Sequence, residues 1–194
     1  MLILVRHGRT PANAAGLLQG RLDQDLDDHG RRQAEAIASF VRSRWSVDEI
    51  VSSPLVRARQ TAAAFGIEPE IDERWIELAY GEYEGTSVVS MPAGVWQRWR
   101  SDPEYVAPGG ESFAALDVRV RAACESMVER LADRNVVVVS HVSPIKAAVS
   151  WALGVGEEIG WRMFLDLASI TRISGRDGHA SLVGFNDITH LIPD

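Results

Sequence analysis

Four consecutive valines followed by a serine, Val136 to Ser140, constrain this 194-residue chain more than any other stretch. A strand with one face in water alternates apolar and polar residues, so an unbroken β-branched run marks a strand buried on both faces. Residues 2 to 5 and 49 to 52 repeat the pattern. Helical periodicity fills the intervals. Ala34, Ile37, Ala38 and Val41 form one stripe of 28 to 44, a second helix is expected over 54 to 64, and Phe113, Leu116, Val120, Cys124, Val128 and Leu131 line one face of 111 to 132. Doubly covered strands alternating with helices predict an α/β fold, a three-layer α/β/α sandwich around a mostly parallel central sheet. Runs at 164 to 173 and 180 to 185 supply further strands, although the first also fits a helix in part. The length suits one domain, 1 to 194, with a single sizeable core.

Two junctions share a grammar. "IVSSPLVRA" and "VVVSHVSPIKA" each run from strand through a short polar turn and Ser-Pro into a helix. Ser53 and Ser143 read as N-caps, with Pro54 and Pro144 as first helical residues. Both helices then start beyond the carboxyl ends of strands, where open α/β sheets bind ligands, and helix N-termini favour anions. Residues 86 to 110 break the rhythm with Pro, Gly, Trp96 and Trp99. They read as an excursion over that rim, acting either as a lid and specificity element or as an insertion with its tryptophans in the core.

Composition narrows the chemistry. A formal net charge of −7 removes the basic footprint that nucleic acid or an anionic membrane requires, so neither is an expected partner. No signal-peptide pattern and no run of 18 apolar residues occurs, and the expected location is the cytoplasm. The 20 basic residues resolve into arginines and the single Lys146, which follows Ile145, so there is no Walker A loop. The one cysteine, Cys124, forms neither a disulfide nor a zinc motif. "CESMVER" has the C-x5-R spacing of thiolate phosphatases, but it lies on an apolar helical stripe without glycines and reads as core. Asp27 or Asp28 suits the N-cap of the helix that follows. His29, His179 and His190 form no metal-ligand spacing and read as surface residues.

His7 and His141 each follow a strand. If those strands are neighbours, both imidazoles reach one crevice, with two helix N-termini pointing into it. Arg57, about four residues into its helix, leans the same way, whereas Arg59 faces elsewhere. With Arg6, these groups make a positive pocket in an acidic protein, a setting that suits phosphate because guanidinium forks match its oxygens. No G-x-S-x-G elbow is present, which leaves histidine as the nucleophile. Neutral imidazole attacks phosphorus through one nitrogen while the other is held by a hydrogen bond, with no need for a metal. The leaving alkoxide then needs a carboxylic acid as proton donor. Gly8 fits a turn too tight beside a bound anion for a side chain.

"LVRHGRT", "SSPLVRARQTA", "IELAYGEYEG", "PGGES" and "VVVVSHVSPIKA", in that order along nearly the whole chain, resemble the histidine phosphatase superfamily with its phosphoglycerate mutase-like fold. The resemblance implies that His7 is transiently phosphorylated, that Arg6, Arg57 and His141 clamp the phosphoryl group, and that Glu77 donates the proton. Read without it, Glu77 is a residue of a solvated turn. Asn13 matches a phosphate-binding side chain, Gln19 and Gly20 a substrate-contacting pair, and the N–H of Val142 a position more often held by glycine. Val142 narrows the room beside His141, and Arg9 replaces a commoner glutamate near the mouth. The implied activity is metal-independent phosphomonoester hydrolysis of a small phosphorylated metabolite, with no cofactor. One alternative is a cofactor-dependent phosphoglycerate mutase; another is a non-catalytic phosphate-binding regulatory module. The compact length favours the phosphatase, and the Trp96 and Trp99 patch leaves a homodimer open.

Overall fold

The computed structural model describes residues 1–176 and 179–191. Six strands, β1 (Leu2–Arg6), β2 (Glu49–Ser52), β3 (Glu70–Ile71), β4 (Val136–Ser140), β5 (Ile170–Arg176) and β6 (His179–Asp187), form one sheet in the order β3-β2-β4-β1-β5-β6. The first four in that order are parallel; β5 runs antiparallel to β1, and β6 antiparallel to β5. Among the described residues six α-helices accompany them: α1 (Pro11–Ala14), α2 (Asp28–Arg44), α3 (Val56–Ala63), α4 (Ala93–Ser101), α5 (Phe113–Met127) and α6 (Val142–Leu153).

The valine run explains the layering. Leu2 and Leu4 of β1 with Val136 and Val138 of β4 face Leu116 and Val120 of α5 and Ile145 of α6. The alternate residues, Ile3, Val5, Val137 and Val139, face Ile37, Ala38 and Val41 of α2 and Ala58 and Ala62 of α3. Period-2 side chains therefore meet a helical layer on each side, and polar residues have no place in either row. Cys124 belongs to the first of these cores, and burial pushes its thiol pKa up.

Several boundaries differ from the sequence reading. The 164 to 169 segment stays outside the sheet, with β5 starting at Ile170, after Ala168 at φ 58°. The long helix ends at Met127, and a 3-10 turn covers Arg130–Ala132. Helix α3 starts at Val56 after Leu55, and α6 at Val142 directly after His141, both without side-chain caps. Neither Ser53 nor Ser143 is an N-cap. Pro144 is the third residue of α6, where its missing N–H is still one of the four that have no intrahelical acceptor. Pro54 lies before its helix. Asp27 is the N-cap of α2, its Oδ1 accepting from the Gly30 N–H at 2.7 Å. His29 and His179 are exposed, but His190 is half-buried, with Nε2 2.9 Å from the Ala168 carbonyl and its ring against Phe40.

The 86 to 110 excursion carries a small core of its own. Trp99 of α4 is buried with Leu18, Met91 and Ala107 against Tyr80, Tyr83, Tyr105 and the half-buried Trp96. Among the described residues no helix is long and apolar enough to cross a membrane.

Candidate active site

Parallel pairing of β1 with β4 sets Arg6 opposite Ser140, and the His7 N–H donates to the Ser140 carbonyl at 3.0 Å. The next residues on both strands are the two histidines, whose ring centroids lie 5.1 Å apart. Both are buried. His7 Nδ1 is 2.7 Å from the Gly8 carbonyl, which only accepts, so Nδ1 carries the proton. Nε2 consequently keeps its lone pair, and the Nε–H of Arg57 donates to it at 3.2 Å. Burial, and after it the charges of Arg57 and Arg6, holds the His7 pKa well below 6.5.

Arg57 is inserted as a strut. Besides His7, it donates from Nη1 to the Leu22 carbonyl at 2.9 Å and from Nη2 to the Gly20 carbonyl at 2.6 Å. Arg6 donates from Nη1 to the Leu165 carbonyl, while its buried Nε has no partner among the described residues. Burial lowers both guanidinium pKa values to about 10. No carboxylate lies within ion-pair distance of either among the described residues. A buried cation without a counter-ion costs several kcal/mol, roughly, which a bound anion would offset. Arg59, two residues beyond Arg57, is exposed.

His141 Nε2 is 2.7 Å from Ser53 Oγ, and its buried Nδ1 has no partner among the described residues. Burial, then Arg57, His7 and Arg6, keeps its pKa well below 6.5. Ser53 Oγ also accepts from the Leu55 N–H at 3.3 Å, so the serine read as a cap instead orients the second imidazole.

Gly8 corrects another expectation. A Cβ there would stand 2.4 Å from the Gly30 carbonyl oxygen, so the backbone of α2, rather than an anion, excludes the side chain.

Glu77 is buried, which overturns the solvated-turn reading. Its Oε1 accepts from the Leu78 N–H at 2.7 Å and from the Ser143 N–H of the first turn of α6 at 3.3 Å. Two arginines grip its backbone carbonyl, Arg21 Nε at 3.0 Å and Arg119 Nη2 at 3.4 Å. Glu111 joins them, accepting from Arg21 at 3.0 Å and from Arg119 at 2.8 and 2.9 Å. Tyr80 Oη, its pKa raised chiefly by burial, lies 3.3 Å from Ser143 Oγ.

Around this centre Asn13 turns its Oδ1 to Thr10, accepting from the backbone N–H at 3.1 Å, and its amide NH2 has no partner among the described residues. Both ends of the Gln19 amide are engaged internally, with the Thr10 hydroxyl at 2.9 Å and the Leu22 carbonyl at 3.3 Å. Gly20 contributes through its carbonyl on Arg57. Val142 opens α6, and its side chain lines a cavity of about 510 Å³ that adjoins Ser143 and Tyr80. Arg9 is paired with Asp27 at 2.7 Å, its charge matched at the start of α2.

The chain belongs to the histidine phosphatase superfamily (branch 1), whose family model matches residues 2–188. It is 35% identical over 198 residues to a putative phosphoserine phosphatase 2 of Hydrogenobacter thermophilus, covering 97% of this chain and 96% of that one. A phosphoserine phosphatase mutant from Entamoeba histolytica, solved in complex with phosphoserine, superposes with a TM-score of 0.89 at 28% identity over 98% of both chains. A bifunctional protein of Mycobacterium tuberculosis is 34% identical over 177 residues, and there the chain spans about half the relative's length, 49%.

Sequence reasoning passed over Ser53, Arg21, Glu111 and Arg119 as parts of the site. "PGGES" carried Glu111 in plain view, but its contact with Arg21 spans 90 positions and has no local signature.

Proposed function

We propose that this chain is a phosphomonoester hydrolase working through a phosphohistidine on His7, with Glu77 as proton donor. The observation that carries the reading is the fixed tautomer of His7, whose Nδ1–H is committed to Gly8 and whose lone pair is therefore on Nε2, facing Arg57 and accepting from its Nε–H until a phosphoryl group takes that place. Depression of its pKa keeps that lone pair available at neutral pH.

In this reading, the phosphate of an ester takes the place among Arg6, Arg57, His141 Nδ1 and the Asn13 amide, where the unpartnered Arg6 Nε–H and two guanidinium charges, buried Arg57 and half-buried Arg6, favour a dianion. The Val142 N–H at the start of α6 adds a further donor. Nε2 of His7 bonds to phosphorus as the P–O ester bond breaks. The Gly8 carbonyl accepts from Nδ1–H throughout and spreads the positive charge the ring acquires. Glu77, protonated, gives its proton to the departing oxygen. Water then attacks phosphorus, passing a proton to the Glu77 carboxylate, and the N–P bond breaks to release phosphate and neutral His7. Gly20 serves through its carbonyl on Arg57, and Gln19 by tying its own loop to Thr10 and to Leu22, whose carbonyl also holds Arg57. No step requires a metal ion.

The whole domain, 1 to 194, is assigned to this one activity, with 86 to 110 as the wall that selects substrates. A small phosphorylated metabolite is the expected substrate, and the lone buried thiol of Cys124 suits a cytoplasmic setting.

The test is turnover of p-nitrophenyl phosphate with and without EDTA. Turnover should survive chelation and fall at least about a thousandfold in His7→Ala, the scale at which loss of a nucleophile is felt. Glu77→Gln should slow alkyl phosphates far more than p-nitrophenyl phosphate, whose leaving group needs little protonation. Equal slowing would remove Glu77 from the role. Rapid isomerisation of 3-phosphoglycerate in the presence of 2,3-bisphosphoglycerate, with little phosphate released, would establish the mutase instead.

A further inference from the structure

The cavity of about 510 Å³ beside Ser143 has walls unlike the phosphate site. Five aromatic rings line it, Tyr80, Trp96, Phe113, Trp161 and Phe164, drawn from four separate stretches of chain. One face of α6 forms another wall, since Val142, Lys146 and Ser150 recur every four residues and Ser143 and Ala147 lie beside them. Ser143 gives its N–H to Glu77 and its hydroxyl contacts Tyr80, so the cavity begins where a leaving group would depart from the acid.

Lys146 is the only lysine in the chain, and it lines this cavity half-buried. Its stem packs over Gly160, where a Cβ would meet Lys146 Cβ and Cδ at 3.8 and 3.9 Å. Among the described residues its ammonium group has neither a hydrogen-bond nor an ion-pair partner, although the Glu157 carboxylate lines the same cavity. Arg100 stands at the same wall, its guanidinium over the Trp161 ring at 5.5 Å.

A small hydroxy-acid leaving group would leave most of this volume to water and touch few of the rings. Aromatic walls favour a flat apolar body, which stacks or meets ring edges, and an isolated half-buried ammonium favours an anion. Resting on the phosphomonoesterase reading, we infer that the site is built for a phosphate ester whose leaving group carries a flat ring and, beyond it, an anionic oxygen group that pairs with Lys146.

Binding of non-hydrolysable phosphonates to the full chain, followed by calorimetry, tests this without relying on turnover. The probes are benzylphosphonate, its 4-carboxy derivative, the corresponding para-bisphosphonate and the phosphonate analogue of phosphoserine. The wild type should bind the carboxy and bisphosphonate compounds about tenfold more tightly than benzylphosphonate, and the tighter of the two names the anion as carboxylate or phosphate. Lys146→Met should bring all three ring compounds within about twofold of one another, with benzylphosphonate unchanged, and Lys146→Arg should restore the preference. Trp161→Ala should weaken every ring compound and spare the phosphoserine analogue. A carboxylate preference that survives Lys146→Met, or tighter binding of the phosphoserine analogue than of every ring compound, overturns the inference. Absence of p-nitrophenyl phosphate turnover would instead count against the hydrolase reading alone.

Discussion

Ser53 illustrates how one residue's role depends on atoms far along the chain. Its local pattern, Ser-Pro before a helix, is that of a cap, yet its hydroxyl lies 2.7 Å from His141 Nε2, 88 positions away. Ser53→Ala leaves that nitrogen buried without a partner. The expected loss is about 1–3 kcal/mol of stability, read as a lower urea midpoint. A drop of about tenfold in p-nitrophenyl phosphate turnover, equivalent to about 1.4 kcal/mol, should accompany it if orientation of His141 matters to transfer. Unchanged turnover in a destabilised protein would reduce Ser53 to a packing role. His7, His141, Arg6 and Arg57 were legible as a cluster because each sits at a fixed offset from a strong strand or helix signal. Glu77 was legible only through resemblance, since no periodicity marks a buried turn.

At the scale of elements, the strand ends are set by the sheet and the helix starts by what the first turn must satisfy. α6 begins at Val142, so that its second N–H, from Ser143, reaches Glu77. Pro144 sits at a position where no intrahelical bond is lost, and Pro144→Ala should shift stability by no more than about 1 kcal/mol in thermal denaturation. Gly8→Ala should be far more costly. Its Cβ meets the backbone oxygen of Gly30, and a rigid neighbour of that kind forces β1 and α2 apart. A loss of about 2–3 kcal/mol is expected, on the scale of overpacked cores. Equal behaviour of the two variants would contradict this account. Helix periodicity located α2, α3 and α5 well, but the ends slipped because Ser-Pro pairs signal a turn without saying where hydrogen bonding starts.

For the whole molecule, burial of two neutral imidazoles links stability to pH. His7 and His141 both have folded pKa values below the ordinary 6.5, so the unfolded chain binds more protons once the pH falls through that value. Stability should therefore be flat in these groups above about 6.5 and should decline below it, by at most about 1.4 kcal/mol per pH unit for each ring, until the folded values are reached. Urea midpoints measured from pH 8 to 5 should fall less steeply in His141→Gln than in the wild type. A parallel fall would mean that other groups govern the acid limb. The three-layer α/β/α architecture and the place of the site at the carboxyl ends of β1 and β4 followed from the sequence, because doubly buried strands announce themselves in unbroken apolar runs. The histidines and arginines of the candidate site followed too, because they flank those runs or open the helices after them. What waited for the folded chain was the company each residue keeps. α2 presses on Gly8, Ser53 holds His141, Arg21, Glu111 and Arg119 steady Glu77, and Lys146 lines a cavity walled by aromatic rings. Such contacts join segments tens of residues apart, and local periodicity carries no information about pairs that meet only when layers pack.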